Sequence, residues 1–430
     1  MLSRMTTTLS GAAIAAFLVF LITPTFVFAA AKEKILWNFT GTDGAGSQAG
    51  LIFDQAGNLY GTTGGGGPNY SGTVFELSPG TNGQWTEKVL YSFDPNGSDG
   101  WQPLAPLAFD KSGNLYGTTS LGGIYGNGGY GTVFELSPGT NGQWTEKVLY
   151  SFDNDGSDGY YPTAGVVLDA AGNLYGTTSL GGNATACGGD GCGAIYELTP
   201  GTNGQWTEKI LYSCNGKDGA NPYAGLIFDG SGDLYGTTVN AAFGDHRGTV
   251  FELTPGSHGK WAYKVLYTFG EGTDGRQPYA GVVFGAKGTL FTSTYYGGVN
   301  DYGALVELMR GSDGKWKAKV LHSFSNNGTD GTYPMAGPIL DNAGNLYGTT
   351  WMGGSADCTR QFGLCGIVFE LRPGPKGKWT ETVLHSFLPN GVDGVGPCDS
   401  LVFDQKGNLY GTTDAGGTSD LYGTVFEIAP

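Results

Sequence analysis

The sequence predicts an all-β, seven-bladed β-propeller of four-stranded antiparallel blades, the last blade closed by the N-terminal strand. Three observations lead there. The heptapeptide Gly57-Asn58-Leu59-Tyr60-Gly61-Thr62-Thr63 recurs with small changes from Gly113, Gly172, Gly232, Gly288, Gly344 and Gly407, a period of 56 to 63 residues that suits a propeller blade. Each unit holds four short strand-like runs separated by Gly, Pro, Asn and Asp clusters. The segment Lys32-Glu33-Lys34-Ile35-Leu36-Trp37-Asn38-Phe39 reads as a fourth strand with no first three before it, while the chain ends after a third strand. A β-solenoid is the competing architecture, but its coils are usually shorter and need capping units at both ends.

In the second copy the four runs are Leu104 to Phe109, Asn114 to Thr119, Thr132 to Leu136 and Trp144 to Phe152, here strands a, b, c and d. Strand a is small and apolar on both sides, as in Ala224-Gly225-Leu226-Ile227-Phe228, which suits the crowded axis. Strand d alternates, as in Trp206-Thr207-Glu208-Lys209-Ile210-Leu211-Tyr212, which suits an outer edge protected by charge. Joining the first strand d to the last strand c would shut the ring and remove both free edges.

Positions shared by every copy serve the architecture, whereas a single functional site must lie where the copies differ. Glu76, Glu135, Glu197, Glu252, Glu307, Glu370 and Glu427 share one place in strand c, and Asp43, Asp99, Asp158, Asp218, Asp274, Asp330 and Asp393 precede a glycine in each d-to-a connection. Asp before Gly makes turn hydrogen bonds, and the spacing lacks the alternating oxygen ligands of a calcium loop. Both sets are therefore read as structural. So are the repeated aromatics, Tyr60, Tyr116, Tyr175, Tyr235, Phe291, Tyr347 and Tyr410, with Trp85, Trp144, Trp206, Trp261, Trp316 and Trp379.

The bulk composition agrees with a turn-rich β protein, with 79 glycines and only 14% charged residues. A formal charge of −16 argues against nucleic acid and acidic membranes as partners. Arg4, an apolar run from Gly11 to Phe28, and Ala29-Ala30-Ala31 follow the order of a secretory signal peptide. The domain reading is thus a leader at 1–31 and a propeller at 32–430, secreted, periplasmic or at the cell surface, with no membrane span in the mature chain.

The heptapeptide and the later Gly-Thr-Val-Phe-Glu-Leu, as at Gly72 to Leu77, Gly131 to Leu136 and Gly248 to Leu253, occur together and in order. In this the chain resembles the GloVer tandem-repeat family of secreted bacterial proteins over nearly all of residues 33–430. The resemblance implies an exported surface or envelope protein and carries over no catalytic residues. Members are often described with C-terminal anchors; strand c of the seventh copy runs to the last residue, Pro430, so none is expected here.

The a-to-b and c-to-d turns, such as Asp110-Lys111-Ser112-Gly113 and Pro138-Gly139-Thr140-Asn141-Gly142, barely vary. All long, unequal loops lie on the opposite face, made by the b-to-c and d-to-a connections, where binding residues concentrate on a rigid scaffold. Entering strand a, the copies place Trp101 and Gln102, Tyr160 and Tyr161, Asn221 and Tyr223, Arg276, Gln277 and Tyr279, and Thr332 and Tyr333; the b-to-c loops add Tyr125, Tyr130, Tyr295, Tyr296 and Trp351. Aromatic faces beside amides suit sugar rings or peptides, so a carbohydrate or protein partner is expected at this face, on a monomer.

The alternative is an extracellular propeller enzyme, a glycan lyase or hydrolase. Its inventory is thin: of four histidines, His322 and His385 replace strand-d tyrosines, His258 sits in a c-to-d turn, and only His246, in Asp245-His246-Arg247, lies on the variable face. At the axis six copies carry Ala49, Ala105, Ala164, Ala224, Ala280 and Ala336, and only Asp399 departs, so no converging metal ligands, cofactor or catalytic residues are expected. Cys187 with Cys192, and Cys358 with Cys365, should each close a b-to-c loop by a disulfide. Cys214 lies within reach of Cys192 or Cys187, and Cys398 has no evident partner.

Overall fold

Seven sheets stand radially, each of four antiparallel strands in the order a-b-c-d from the axis outward. The computed structural model describes residues 31–430 apart from 97, 126, 127, 184, 243, 271, 357, 359–363 and 420. Residues Ala31–Pro430 form one compact unit. The expected leader lies, but for Ala31, outside the described residues. In blade 2 the strands are Ala108–Phe109, Leu115–Thr119, Thr132–Pro138 and Trp144–Ser151. Strand a is thus two residues long, shorter than the apolar run suggested. Pro103 and Pro106 have no amide to donate to a ladder, so the chain before Ala108 runs along the axis unpaired.

The heptapeptide explains itself at the blade interfaces. Its first threonine, on strand b, donates a side-chain hydrogen bond to a backbone carbonyl three residues before strand a of the next blade. The pairs are Thr62 to Ala105, Thr118 to Ala164, Thr177 to Ala224, Thr237 to Ala280, Ser293 to Ala336, Thr349 to Asp399 and Thr412 to Ala49, at 2.7–3.2 Å. These bonds run once around the axis, and the seventh joins the last blade to the first. Its central glycine makes room for an aromatic: a Cβ on Gly117 would sit 2.5 Å from Cζ of Phe134, its partner on strand c. In the fifth copy Thr292 replaces that glycine and the smaller Val306 faces it. The fixed aromatics pack between blades, as in Tyr60 against Phe109 and Trp144 at centroid distances of 5.1 and 6.3 Å.

The shared carboxylates are occupied by structure. Tyr175, Tyr235 and Tyr347 donate to Glu197, Glu252 and Glu370 at 2.7–2.9 Å. The Asp before glycine accepts from the aromatic ending the preceding strand d, as Asp99 does from Tyr91 (2.8 Å) and Asp158 from Tyr150 (2.9 Å). Lysines of strand d also reach the next blade: Lys34, Lys147 and Lys209 each donate to a c-to-d turn carbonyl at 2.7 Å.

The N-terminal strand Lys32–Asn38 pairs antiparallel with Thr424–Ala429, Lys32 opposite Ala429 and Asn38 opposite Thr424, and supplies the outer strand of blade 7. Leu36 and Phe39 are buried with Leu51, Phe75 and Tyr410 across the seam. Removing residues 32–39 exposes both side chains and a strand edge, and should lower the melting temperature by on the order of 10 °C in a calorimetric scan. A melting temperature unchanged by the deletion contradicts a ring held shut by this strand.

A second expectation concerns pH. Glu87, Glu146 and Glu208, on strand d, face the interface aspartates of the preceding connection. Burial first, then the charge of Asp43, raises Glu87 to about 7; burial and Asp99 raise Glu146 to about 8; burial and Asp158 with Asp155 raise Glu208 to about 8. Each carboxyl binds its proton more tightly folded than unfolded. This contribution is therefore fully present below about pH 4.3 and is lost as pH rises through 7 to 8. Glu87→Gln/Glu146→Gln/Glu208→Gln should gain melting temperature on the parent between pH 5 and 8.5; a difference independent of pH refutes the assignment.

Candidate functional site

The face with the long loops is more ordered than its sequence suggests, because each d-to-a connection pairs with the b-to-c loop of its own blade. Trp101 lies opposite Leu121, Tyr160 opposite Leu180, Thr332 opposite Met352 and Val395 opposite Ala415, with bridges at Ala45–Gly65, Ala220–Asn240 and Arg276–Tyr296. The residue that follows is left-handed in every blade. Gln102, Tyr161, Asn221, Gln277 and Tyr333 have φ of 56–60°, and glycine takes the place at Gly46 (61°) and Gly396 (69°). A side chain there costs about 1–2 kcal/mol. Two hydrogen bonds hold it: Gln277 donates its amide to the Arg247 carbonyl of the preceding blade (2.8 Å) and accepts from the Tyr295 amide of its own (3.0 Å), and the other copies repeat this.

Five of the ten candidate residues gather between blades 4 and 6. Arg276, Gln277 and Tyr279 line a cavity of about 670 Å³ together with His246, Tyr295, Tyr296 and Met335. Tyr223 and Tyr279 also line the central channel, of similar volume, and meet edge-to-face at 5.3 Å. Tyr333 stacks on Tyr295 at 4.9 Å with 25° between planes. The other five serve elsewhere. Tyr160 is only 4% exposed, packs on Tyr130 and Tyr161, and donates its hydroxyl to the Asp190 carbonyl (3.0 Å). Asn221 donates to the Ser179 carbonyl and accepts from the Asn240 amide, both at 2.9 Å. Trp101 and Gln102 are half-buried at the entry to blade 2. Among the described residues no ring pair joins the Tyr130–Tyr160–Tyr161 group to the tyrosines around Tyr279.

Within the cavity Tyr279 meets Tyr295 edge-to-face (5.4 Å), and Tyr295 meets Tyr296 (4.7 Å). The Arg276 guanidinium lies 4.7 Å above the Tyr296 ring and contacts both carboxylate oxygens of Asp301 at 3.0 and 2.8 Å. Burial, then the neighbouring phenols, raises Tyr295 to about 12, and burial with Tyr296 raises Tyr279, so these hydroxyls stay neutral donors and acceptors. The Gln277 side-chain nitrogen lies 3.0 Å from His246 Nδ1.

Asp245 and Asp399 do not line this cavity. Asp245 pairs with Arg247 (2.9 Å) and accepts the Ala241 amide. Asp399 is half-buried in the channel wall, where it accepts the amides of Gly50 and Ser400, and desolvation raises it to about 6. Sequence reasoning had named Tyr295, Tyr296 and His246 without weight and had missed Asp301 and Met335. The available signal was the Tyr295-Tyr296 pair directly after strand b, present in no other copy. Cys187–Cys192 and Cys358–Cys365 are disulfides as expected, while Cys214 and Cys398 are free.

Solved structures of very different sequence align with most of this chain. PorZ of Porphyromonas gingivalis, described as an essential surface component of the type-IX secretion system, matches at a TM-score of 0.51 and 14% identity over 87% of this chain, which spans 46% of PorZ. The periplasmic gluconolactonase PpgL of Pseudomonas aeruginosa matches at 0.49 and 16%, over 79% of this chain and 84% of its own. At such identities the likeness is one of fold. A search of curated proteins finds no significant match. The repeat defined for the Gloeobacter/Verrucomicrobia family matches residues 5–189, 129–362 and 309–430. With the repeat covering the propeller from end to end, the chain belongs to the Gloeobacter/Verrucomicrobia repeat family.

Proposed function

We propose that this protein is an exported, monomeric binding propeller that holds a glycan at the mouth of its channel, between blades 4 and 6. The observation that carries this reading is the cavity in which Tyr279, Tyr295 and Tyr296 converge with the amide of Gln277 and the imidazole of His246. Rings supply the stacking surface for the apolar face of a sugar, and the amide and imidazole supply directional bonds to its hydroxyls. Two disulfides on the same face fit an oxidising compartment. No described helix is long and apolar enough to cross a membrane. A protein partner would use the same rings through a protruding loop.

One observation favours catalysis as the second reading. His246 and Arg276 line one wall, where an imidazole could take a proton beside a cation able to neutralise a uronate, as a lyase requires. Against it, Arg276 is already paired with Asp301. Unsaturated products from uronate-containing polymers would decide for the lyase.

A glycan array probed with the purified chain is the first test. With a ligand found, Tyr279→Ala should weaken binding by about 1–3 kcal/mol, while changes in the Pro138–Gly142 turn should not. Gln277→Gly removes that side chain and keeps the left-handed backbone, as glycine does at 46 and 396, so it should weaken binding without unfolding the protein. Turn substitutions that abolish binding while Tyr279→Ala does not would place the ligand on the opposite face.

A further inference from the structure

The seven blade interfaces carry one recurring trio near the outer rim: the last aromatic of strand d, the aspartate that follows it, and a strand-d residue of the next blade. Three interfaces combine Trp or Tyr with Glu: Trp37, Asp43 and Glu87; Tyr91, Asp99 and Glu146; Tyr150, Asp158 and Glu208. Two lack the Glu, with Tyr263 and Ala318 in its place. The remaining two replace the aromatic donor with histidine and keep the glutamate, giving His322, Asp330 and Glu381 between blades 5 and 6, and His385, Asp393 and Glu33 between blades 6 and 7.

We propose that these two trios are divalent transition-metal sites, suited to zinc, that clip blade 6 to both neighbours and pin the N-terminal strand in place. In each trio one imidazole nitrogen and two carboxylate oxygens lie within 4.8 Å of one another. His322 Nε2 stands 3.3 and 3.4 Å from the Asp330 oxygens and 3.7 Å from Glu381 Oε2, while His385 Nε2 stands closer to Asp393 Oδ2, at 3.1 Å, so the distance argument is carried by the His322 trio. A charge-assisted N–H···O bond closes to about 2.7–2.9 Å, whereas ligand atoms of tetrahedral zinc stand about 3.3–3.5 Å apart. Asp330 and Asp393 are 6% and 8% exposed. Oδ1 of Asp393 and Oε1 of Glu33 and of Glu381 are buried with no hydrogen-bond partner among the described residues; Oε1 of Glu87, Glu146 and Glu208 is orphaned in the same way, so it is the imidazole that sets the two trios apart. The aspartates are held from behind: Asp330 Oδ2 accepts the Ser325 amide (2.9 Å) and Asp393 Oδ2 the Leu388 amide (3.1 Å), the outer-shell support that fixes a ligand's orientation. Imidazole nitrogen selects zinc, nickel or copper over calcium and magnesium. The competing occupant is a proton shared between imidazole and carboxylates.

The test is zinc binding by the purified, EDTA-stripped chain, read by equilibrium dialysis with elemental analysis. Two zinc ions per chain are expected, with calcium unable to displace them, together with a rise in melting temperature on adding zinc. His322→Tyr and His385→Tyr restore the residue found at blades 1 and 2, so they should fold; each should remove one zinc, and the double variant both. Glu33→Gln and Glu381→Gln should weaken the respective site at least tenfold. Absence of zinc binding and of a zinc-dependent melting rise in the unaltered chain overturns the proposal and leaves the proton as occupant. So does a stoichiometry unaffected by the histidine substitutions. Should either tyrosine variant fail to fold, cobalt(II) added to the unaltered chain decides: intense visible bands of a low-coordinate site support the proposal, and their absence overturns it.

Discussion

The hydroxyl of one strand-b residue, donated to a backbone carbonyl of the next blade, is the contact around which the ring is organised. Strand a is only two residues long, so it has little ladder of its own to fix its height and distance from the axis. The threonine or serine supplies that fix, seven times, with a short side chain that tolerates almost no displacement. An unpaired carbonyl near the axis would cost about 1–3 kcal/mol, so the motif is held by a penalty that every interface shares. The last of these bonds, Thr412 to Ala49, needs the first and last blades in contact, which the pairing of Lys32–Asn38 with Thr424–Ala429 secures.

The fold was legible because its constraints are repeated. Seven copies average out local ambiguity, and a strand d without its blade beside a blade without its strand d admits one economical pairing. What could not be read was the conformation of the d-to-a connections. Nothing in Trp101-Gln102, Tyr160-Tyr161 or Arg276-Gln277 signals a left-handed second residue, since glutamine and tyrosine are poor choices for it. The glycines at 46 and 396 and Asn221 were the hints. Because that backbone is fixed by two inter-loop bonds, the side chains it carries are placed by the architecture and are free to vary in chemistry.

The site was legible to a lesser degree for the same reason. Variation between copies singled out the face that holds the mouth cavity but could not separate ring faces that line it from rings consumed by packing. Tyr160 and Tyr279 occupy loops of the same kind, yet Tyr160 is buried against Tyr130 and Tyr161 while Tyr279 borders both the mouth cavity and the channel. The two differ in position, Tyr160 directly preceding the left-handed Tyr161 and Tyr279 following the left-handed Gln277 by two residues, and in the b-to-c loops that they meet. The outer-rim trios were invisible for a related reason: His322 and His385 were seen as replacements for tyrosine, but their partners Glu381 and Glu33 come from strands 59 residues later and 352 earlier.

Departures from the repeat are not scattered evenly. Blade 5 reads Leu290-Phe291-Thr292-Ser293-Thr294 where other copies have Leu-Tyr-Gly-Thr-Thr, and its a-to-b turn Ala286-Lys287-Gly288 follows a glycine where others carry aspartate. Its packing is nonetheless repaired locally: Thr292 fills the space left by Val306, and Ser293 still donates to the Ala336 carbonyl at 2.7 Å. The same blade carries Tyr295, Tyr296 and Asp301 and receives Arg276, Gln277 and Tyr279, the residues that build the mouth cavity. A copy can drift from the consensus while keeping its interface bonds. Blade 5 therefore keeps its interface bonds through compensating pairs in its strands, while its connections supply most of the lining of the mouth cavity.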